Sequence, residues 1–425
     1  MVGYHWPRML RRRFWLSSIV CGASLSALPG VARADSADAE ALASPIEVHA
    51  FVSQGFIKTT DNNYLADSKR GSFEFSEVGI NFSKQLTERM RVGMQLFTHD
   101  LGPQGNYRTR FDWFYLDYRF WDWLGVRAGR TKLPFGLYNE SSDIDAARVP
   151  VLLPQSMYPV SFRDFLLAQT GGEAYGTVPL GDAGALEYRL YGGTVFYDTA
   201  DATTTLTNVN IPYIFGARLM WQPPVEGLQL GASAQKLRID ASTVLPAEQV
   251  AQLQMAGQLP ADFSGPLKLE LPALLAVGSV EYSAHDLLLA SEYSRWRVSL
   301  NSPAALYSIP ETSSERFYVM AAYHVTSWFT PGMYYSVLFA NANNRDGSDP
   351  AAGAAAGSPA LGRAAYQHDL ALTLRYDLNP YWLLKLEGHY MHGTAGLSRE
   401  LNDNQPLSTL TKDWGVFVVK TTAYF

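Results

Sequence analysis

Among 425 residues there is a single cysteine, Cys21, and only 17% of the chain is Asp, Glu, Lys or Arg. With that thiol in the N-terminal stretch, the remainder can hold no disulfide, no cysteine metal site and no cysteine nucleophile. Positive charge is scarce too: Lys and Arg number 34 against 40 Asp and Glu, a net charge of −6. Residues 1–34 carry five Arg and no acid, so residues 35–425 stand at 29 − 40 = −11. A net-acidic chain without a basic block is a poor nucleic-acid binder, and no nucleic-acid partner is expected. Long apolar runs are also missing beyond the N-terminus. The longest later stretch that is both uncharged and apolar, Leu271 to Val280, is about half of the ~20 residues a spanning helix needs. It also contains Pro272 and Gly278, so a helical membrane bundle is excluded.

What is plentiful is apolar and aromatic: 47% of residues are hydrophobic, with 24 Tyr, 21 Phe and 10 Trp. That composition excludes a disordered chain and a coiled coil. At the N-terminus Arg8, Arg11, Arg12 and Arg13 precede an uncharged stretch from Phe14 to Ala32, and Ala32-Arg33-Ala34 forms a small-x-small site before the acidic start at Asp35. This is the layout of a secretory signal peptide, 1–34. Residues 35–45 follow as a short periplasmic lead-in, and 46–425 form the main domain. An exported chain with no spanning helix enters a membrane only as a closed β-barrel, where every backbone hydrogen bond is satisfied between strands.

Period-2 alternation recurs in segments of about ten residues. In 314–326, Phe317, Val319, Ala321, Tyr323 and Val325 oppose Arg316, Tyr318, Met320, Ala322 and His324. The pattern predicts sixteen strands near 46–58, 71–84, 90–99, 109–120, 123–133, 170–179, 184–196, 211–222, 226–238, 272–284, 286–298, 314–326, 329–341, 364–377, 380–392 and 412–425. Connections alternate strictly between short and long. The long ones are 59–70, 100–108, 134–169, 197–210, 239–271, 299–313, 342–363 and 393–411. Short turns on one rim and long loops on the other are the mark of outer-membrane barrels, the turns being periplasmic. The Ala/Gly run 351–362 reads as a flexible loop insertion, and Val244, Leu245, Val250, Leu253 and Met255 predict a short helix over 246–257. Phe120, Trp121, Trp123, Trp221, Trp328, Phe329, Tyr381, Trp382 and Trp414 lie near predicted strand ends, as in interfacial belts. The expectation is all-β: a 16-stranded antiparallel transmembrane barrel embedded in outer-membrane lipid.

The chain ends DWGVFVVKTTAYF. A final aromatic, Phe425, closing an alternating strand resembles the signal by which barrels engage the outer-membrane assembly machinery; Ala423 stands where an aromatic is usual. The segment Val126 to Gly136, VRAGRTKLPFG, with Tyr138-Asn139-Glu140, resembles the phosphate-selective porin O and P family, as do His49 to Thr59 and Phe75 to Phe82. The resemblance implies a sixteen-stranded, homotrimeric porin whose third long loop, here 134–169, folds inward and narrows the lumen. No dense run of lysines and arginines accompanies it.

A pore selects by width and by the charges lining its narrowest part. Taking the more apolar parity of each strand as lipid-facing places Arg91, Arg189, Arg218, Arg316, Arg375, Lys385 and Lys420 inside with Glu77, Glu187, Asp369 and Glu387. Arg130 and Lys132 share one parity near the third loop, and Arg295 and Arg297 share one on the eleventh strand. Either these cations give the pore a modest preference for anions, phosphate among them, or they pair with inward acids and only solvate the wall. Within the third loop, Asp143, Asp145, Arg148, Arg163 and Asp164 form either an eyelet of opposed charge or local ion pairs on the barrel surface.

Catalytic patterns are missing: there is no GxSxG, HExxH, strand-linked GxGxxG or Walker loop. His389 and His392 are three apart and face opposite sides of a strand, which excludes a shared metal. No enzyme activity, cofactor or metal is expected. The reading is an outer-membrane porin for passive diffusion of small hydrophilic solutes and ions. A non-conducting barrel acting as adhesin or structural protein is the alternative, with a barrel enzyme behind it.

Overall fold

The computed structural model describes residues 45–195, 206–351 and 361–425. The expected signal peptide, all but the last residue of the lead-in, and most of the Ala/Gly run lie outside the described residues. The chain forms β1 Glu47–Thr59, β2 Phe75–Gln85, β3 Met90–Leu101, β4 Arg110–Trp121, β5 Leu124–Lys132, β6 Ala168–Pro179, β7 Ala185–Val195 and β8 Leu206–Gln222. It continues through β9 Leu228–Thr243, β10 Leu267–Ala284, β11 Leu287–Leu300, β12 Ile309–Tyr323, β13 Phe329–Phe339, β14 Tyr366–Asn379, β15 Trp382–Gly393 and β16 Asp413–Tyr424. Each strand pairs with its sequence neighbours, and β16 returns to β1, closing the barrel. At the seam Phe51 lies opposite Tyr424, and Thr59 opposite Val416. Phe425 exchanges backbone hydrogen bonds with Ala50, at 3.0 and 3.2 Å.

Polarity across the wall is inverted relative to a soluble core. On β14, Leu370 and Leu372 are exposed, whereas Asp369, Thr373 and Arg375 are buried. Leucine outside and ionised groups inside is the arrangement a lipid-facing barrel requires. Of the named aromatics, Phe120, Trp121, Trp123, Trp221, Trp328, Tyr381 and Trp382 are exposed, Trp121 stacking on Trp123 at 5.2 Å. Trp414 departs from the expected belt. It is buried, donates its indole N–H to the Gly393 carbonyl at 3.1 Å and packs edge-on against Tyr64.

Three strands begin about five residues earlier than alternation predicts: β8 at Leu206, β10 at Leu267 and β12 at Ile309. Their extra length is laddered to neighbours, with Leu267 facing Thr243, so pairing continues past the point where the apolar alternation fades. The helix expected in loop 239–271 is present as α2, Ala247–Met255, the four-residue helix Arg163–Leu166 being α1. Short turns use compatible residues. His285 and Asp286 take φ of 53° and 65°, the two left-handed positions of a tight hairpin.

A register shift between Gln95 and Leu96 leaves Asp112 as an extra residue on β4. Such a bulge re-aims a side chain, and Asp112 is buried within reach of Arg163, its carboxylate 2.7 Å from the guanidinium.

Candidate functional site

The connection between β5 and β6, residues 133–167, is where charged groups converge. Pro134, Pro150, Pro154 and Pro159 punctuate it, withdrawing N–H donors and fixing φ, which keeps it from extending the sheet. It is built instead from the turns Asn139–Ser141, Asp145–Ala147 and Val160–Phe162 and from α1. Leu133, Phe135, Val149, Leu153 and Met157 are buried in one apolar cluster with Ile214, Leu237, Leu275, Trp296, Tyr318 and Tyr334 from the strands.

Its polar groups bond to strand after strand. Toward β3 and β5, Asp143 accepts from Gln95 at 2.7 Å and from Lys132. Glu140 receives Arg189 of β7, at 2.5 and 2.6 Å, and Arg218 of β8 at 3.0 Å. The Gly136 N–H donates to Ser233 of β9 at 3.1 Å, Tyr138 to Glu281 of β10 at 2.7 Å, and the Leu137 N–H to Glu292 of β11 at 2.9 Å. Ser156 shares a hydrogen bond with Ser336 of β13 at 2.6 Å. Further round, Arg375 of β14 donates to the carbonyls of Ala146 and Arg148, both at 3.0 Å. The Val151 and Leu152 N–H groups donate to Glu387 of β15, at 2.7 and 2.8 Å. Asp145 accepts from Lys385 at 3.0 Å and from Thr422 of β16 at 2.8 Å, with Lys420 3.6 Å away.

These pairings fix the charge of the segment. Burial alone would raise the Glu140 carboxyl, but Arg189 and Arg218 outweigh it and hold it at about 2. Asp145 is likewise buried, and Lys385, Lys420 and Arg148 hold its carboxyl far below the ordinary range. Lys132 and Arg163 do the same for Asp143. All three are anions at neutral pH, each matched by cations from the wall. Tyr138 and Tyr158 are pushed well up by burial and by Glu281 and Glu292, so both stay protonated donors.

Of the residues expected to line the lumen, Arg91, Arg189, Arg218, Arg316, Arg375, Lys385 and Lys420 stand on the enclosed parity. Most are paired: Arg91 with Glu47 at 3.0 Å, Arg218 with Glu187 at 2.8 Å, Arg375 with Asp377 at 2.8 Å, and Lys420 with Glu77 at 2.6 Å. Arg189 also holds Glu173. Arg295 and Arg297 are corrections. They share the parity of exposed Tyr293 and face outward, Arg295 donating to Ser313 at 3.0 Å. Near the long-loop rim the outer face of β11 turns polar while its inner face carries Leu288, Ala290 and Trp296, which reverses the apolarity signal. Arg130 is a correction as well: it sits beside exposed Phe114 on the outward side and donates to the Asp112 carbonyl at 3.0 Å. Its parity-mate Lys132, at the strand end, turns inward to Asp143.

In the segment itself, Arg148 reaches the Val151 carbonyl and lies 3.8 Å from Asp145. Arg163 lies over the Phe97 ring. Asp164 is on α1, and its side chain lies outside the described residues.

Sequence reading missed several inward acids: Asp112, Asp117, Glu140, Glu173, Glu281, Glu292 and Asp377. Glu173, on the parity of Gln169, could have been found by alternation; Asp112 could not, because a bulge places it. His389, weighed from the sequence only as half of a metal pair with His392, is buried and bonds to Asp369 of neighbouring β14 at 2.9 Å and to Glu387 of its own strand at 3.1 Å. No group of His, Cys, Asp and Glu able to hold a metal occurs among the described residues.

No family model matches the chain, and no curated protein does. Solved structures do. The outer-membrane OmpT of Vibrio cholerae superposes with a TM-score of 0.54 at 10% identity, covering 89% of this chain and 97% of that one. An anion-selective porin from Comamonas acidovorans gives 0.53 at 10% identity, covering 90% and 99%. The outer-membrane channel DcaP of Acinetobacter baumannii gives 0.51 at 11%, covering 89% and 97%. At such identities the likeness is one of fold, and the fold is that of a closed outer-membrane-type β-barrel.

Proposed function

We propose that the chain is an outer-membrane porin, a channel for passive diffusion of small hydrophilic solutes and ions, with the segment 133–167 folded inward as its constriction. One observation carries the reading. The segment bonds to the enclosed faces of strands on every side of a closed sheet, from Gln95 on β3 round to Thr422 on β16, and a loop lying outside the barrel cannot reach them all. An element that crosses a lumen sets its narrowest point, and charges there sort the solutes that pass.

The proposed selectivity is a modest preference for anions. Because most wall cations are matched by carboxylates, the preference rests on the remainder, and a phosphate-dedicated pore finds little support beyond the resemblance of Val126 to Gly136. Export by the N-terminal segment, outer-membrane insertion through Phe425, and trimer assembly belong to the same proposal. The solved porins similar in fold support the channel reading, including the one described as anion-selective.

A second reading has its own observation. Lys385, Lys420 and Glu387 are almost completely buried beneath the segment, packing tight enough for a sealed barrel with an adhesive or structural role. Planar-bilayer recording of the folded, detergent-purified protein under a KCl gradient separates the two. Stepwise conductance with a reversal potential toward chloride supports the anion-preferring porin. Steps with cation preference overturn the selectivity alone, and silence from a folded barrel supports the sealed reading.

A further inference from the structure

One inward cation lacks the counter-charge that the others have. Arg316 projects from β12 on the enclosed parity, between Ser294 of β11 and Leu338 of β13, and is only 8% exposed. Its guanidinium carbon lies 3.3 Å from the centroid of the Trp296 ring, stacked on the indole face. Among the described residues its buried Nη1 has no hydrogen-bond partner, and neither has the buried Nε1 of the same Trp296. No carboxylate pairs with Arg316 among the described residues. Arg189, Arg218 and Arg375 by contrast each hold one or more. The nearest inward acid along β11, Glu292, is already committed: it accepts from Tyr158 and Tyr318 on one oxygen, and from Ser279 and the Leu137 N–H on the other.

Burying a cation and an indole N–H with nothing to accept their hydrogen bonds is costly, and a site retaining both is incomplete as it stands. The planar guanidinium fork matches oxyanions such as carboxylate and phosphate. Stacking on Trp296 holds the fork in one orientation and stabilises its charge through the ring quadrupole. Each donor calls for an acceptor, and the guanidinium charge favours a negative one.

We propose that Arg316 and Trp296 form a binding site for one small oxyanion, a carboxylate or phosphate group, on the wall of β11 and β12. This deepens the porin reading by naming the residue behind an anion preference, and the site would hold its anion whether or not the barrel conducts. It sits beside Phe135, whose ring lies 6.3 Å from that of Trp296. The proposed constriction thus starts one ring away from the anion.

The test is equilibrium binding, kept separate from conductance. Inorganic phosphate and acetate are titrated calorimetrically into the folded wild-type barrel, with Arg316→Met and Trp296→Phe beside it and Arg297→Met as the outward-facing control. One saturable site per chain is expected for at least one of the two anions. Arg316→Met should abolish it, Trp296→Phe should weaken it about ten-fold, the scale of a hydrogen bond to a charged group, and Arg297→Met should leave it intact. Trp296→Phe keeps the arginine and a ring, so it serves if Arg316→Met does not fold. Absence of saturable binding by wild type up to high millimolar anion, or binding unaltered in Arg316→Met and Trp296→Phe, overturns the site. Binding by a barrel that never conducts overturns the porin and leaves the site standing; conductance without binding does the reverse.

Discussion

Lys385 Nζ lies 3.0 Å from Asp145 Oδ1, and neither side chain touches solvent. The same ammonium donates to the carbonyls of Asp145, Arg148 and Pro150, at 2.7, 2.9 and 3.4 Å, so one lysine of β15 bonds four acceptors of the segment 133–167. Removing one partner of a buried pair leaves the other charge uncompensated, at a cost of about 3–5 kcal/mol. Asp145→Asn and Lys385→Met should each lower the denaturant midpoint of the folded barrel strongly. The double variant should recover a large part of the loss, because the stranded charge is gone. Equal, additive losses in the double variant would show that the pair does not act as one unit.

Acid should loosen the segment through Glu140. Its carboxyl is held at about 2 in the fold against an ordinary 4.5. A lowered carboxylate contributes stability that is fully present above the ordinary value and is lost as pH falls through the folded one. The thermal unfolding temperature of the barrel should therefore be level above about pH 5 and decline between about 4.5 and 2. Glu140→Gln should flatten that decline in part, the lowered Asp143 and Asp145 supplying the remainder. An identical profile for wild type and variant would contradict the assignment.

Glu140 also sets how much positive charge the wall shows, since it sits between Arg189 and Arg218. Neutralising it as Glu140→Gln should move the reversal potential under a KCl gradient toward chloride. A factor of about 2 in the permeability ratio is expected, corresponding to a partly solvated pair worth a few tenths of a kcal/mol. A shift toward potassium would be incompatible with a permeation path beside these arginines.

Arg295 and Arg297 face outward, so their neutralisation should leave single-channel conductance and charge preference unchanged. Bilayer recordings of Arg295→Gln and Arg297→Gln test this. A marked change in selectivity would mean that the inward parity of β11 has been misassigned.

Glu387 accepts the N–H groups of both Val151 and Leu152 while bonding Thr373 at 2.5 Å and His389. Replacing it with Leu strands two buried amides, at about 1–3 kcal/mol each. Limited proteolysis should then cut within 146–155 faster than in wild type while the strands stay protected. Unchanged cleavage would indicate that the segment is held by its other anchors alone.

The number and direction of the strands were legible because lipid on one side and a polar interior on the other impose a period-2 signal that each strand carries by itself. The alternating rhythm of connections added closure, short turns marking one rim. The same signal placed Arg189, Arg218, Arg316, Arg375, Lys385 and Lys420 on the inner face without reference to any neighbour. It failed on β11, where the inward face carries Leu288, Ala290 and Trp296 against the segment and the outward face carries Arg295 and Arg297. It failed again at Arg130.

What the sequence by itself determined is thus whatever one strand can decide locally: that it is a strand, which residues share a face, and where it turns. Only the tertiary structure decided which charges meet. Asp145 finds Lys385 across 240 residues of chain, Glu140 finds Arg189 and Arg218, Asp112 turns inward at a bulge, and Arg316 is left with an aromatic face and no acid. Pairing of this kind depends on where a proline-punctuated segment meets the strands of a closed sheet, a long-range packing solution that no periodicity along the chain encodes.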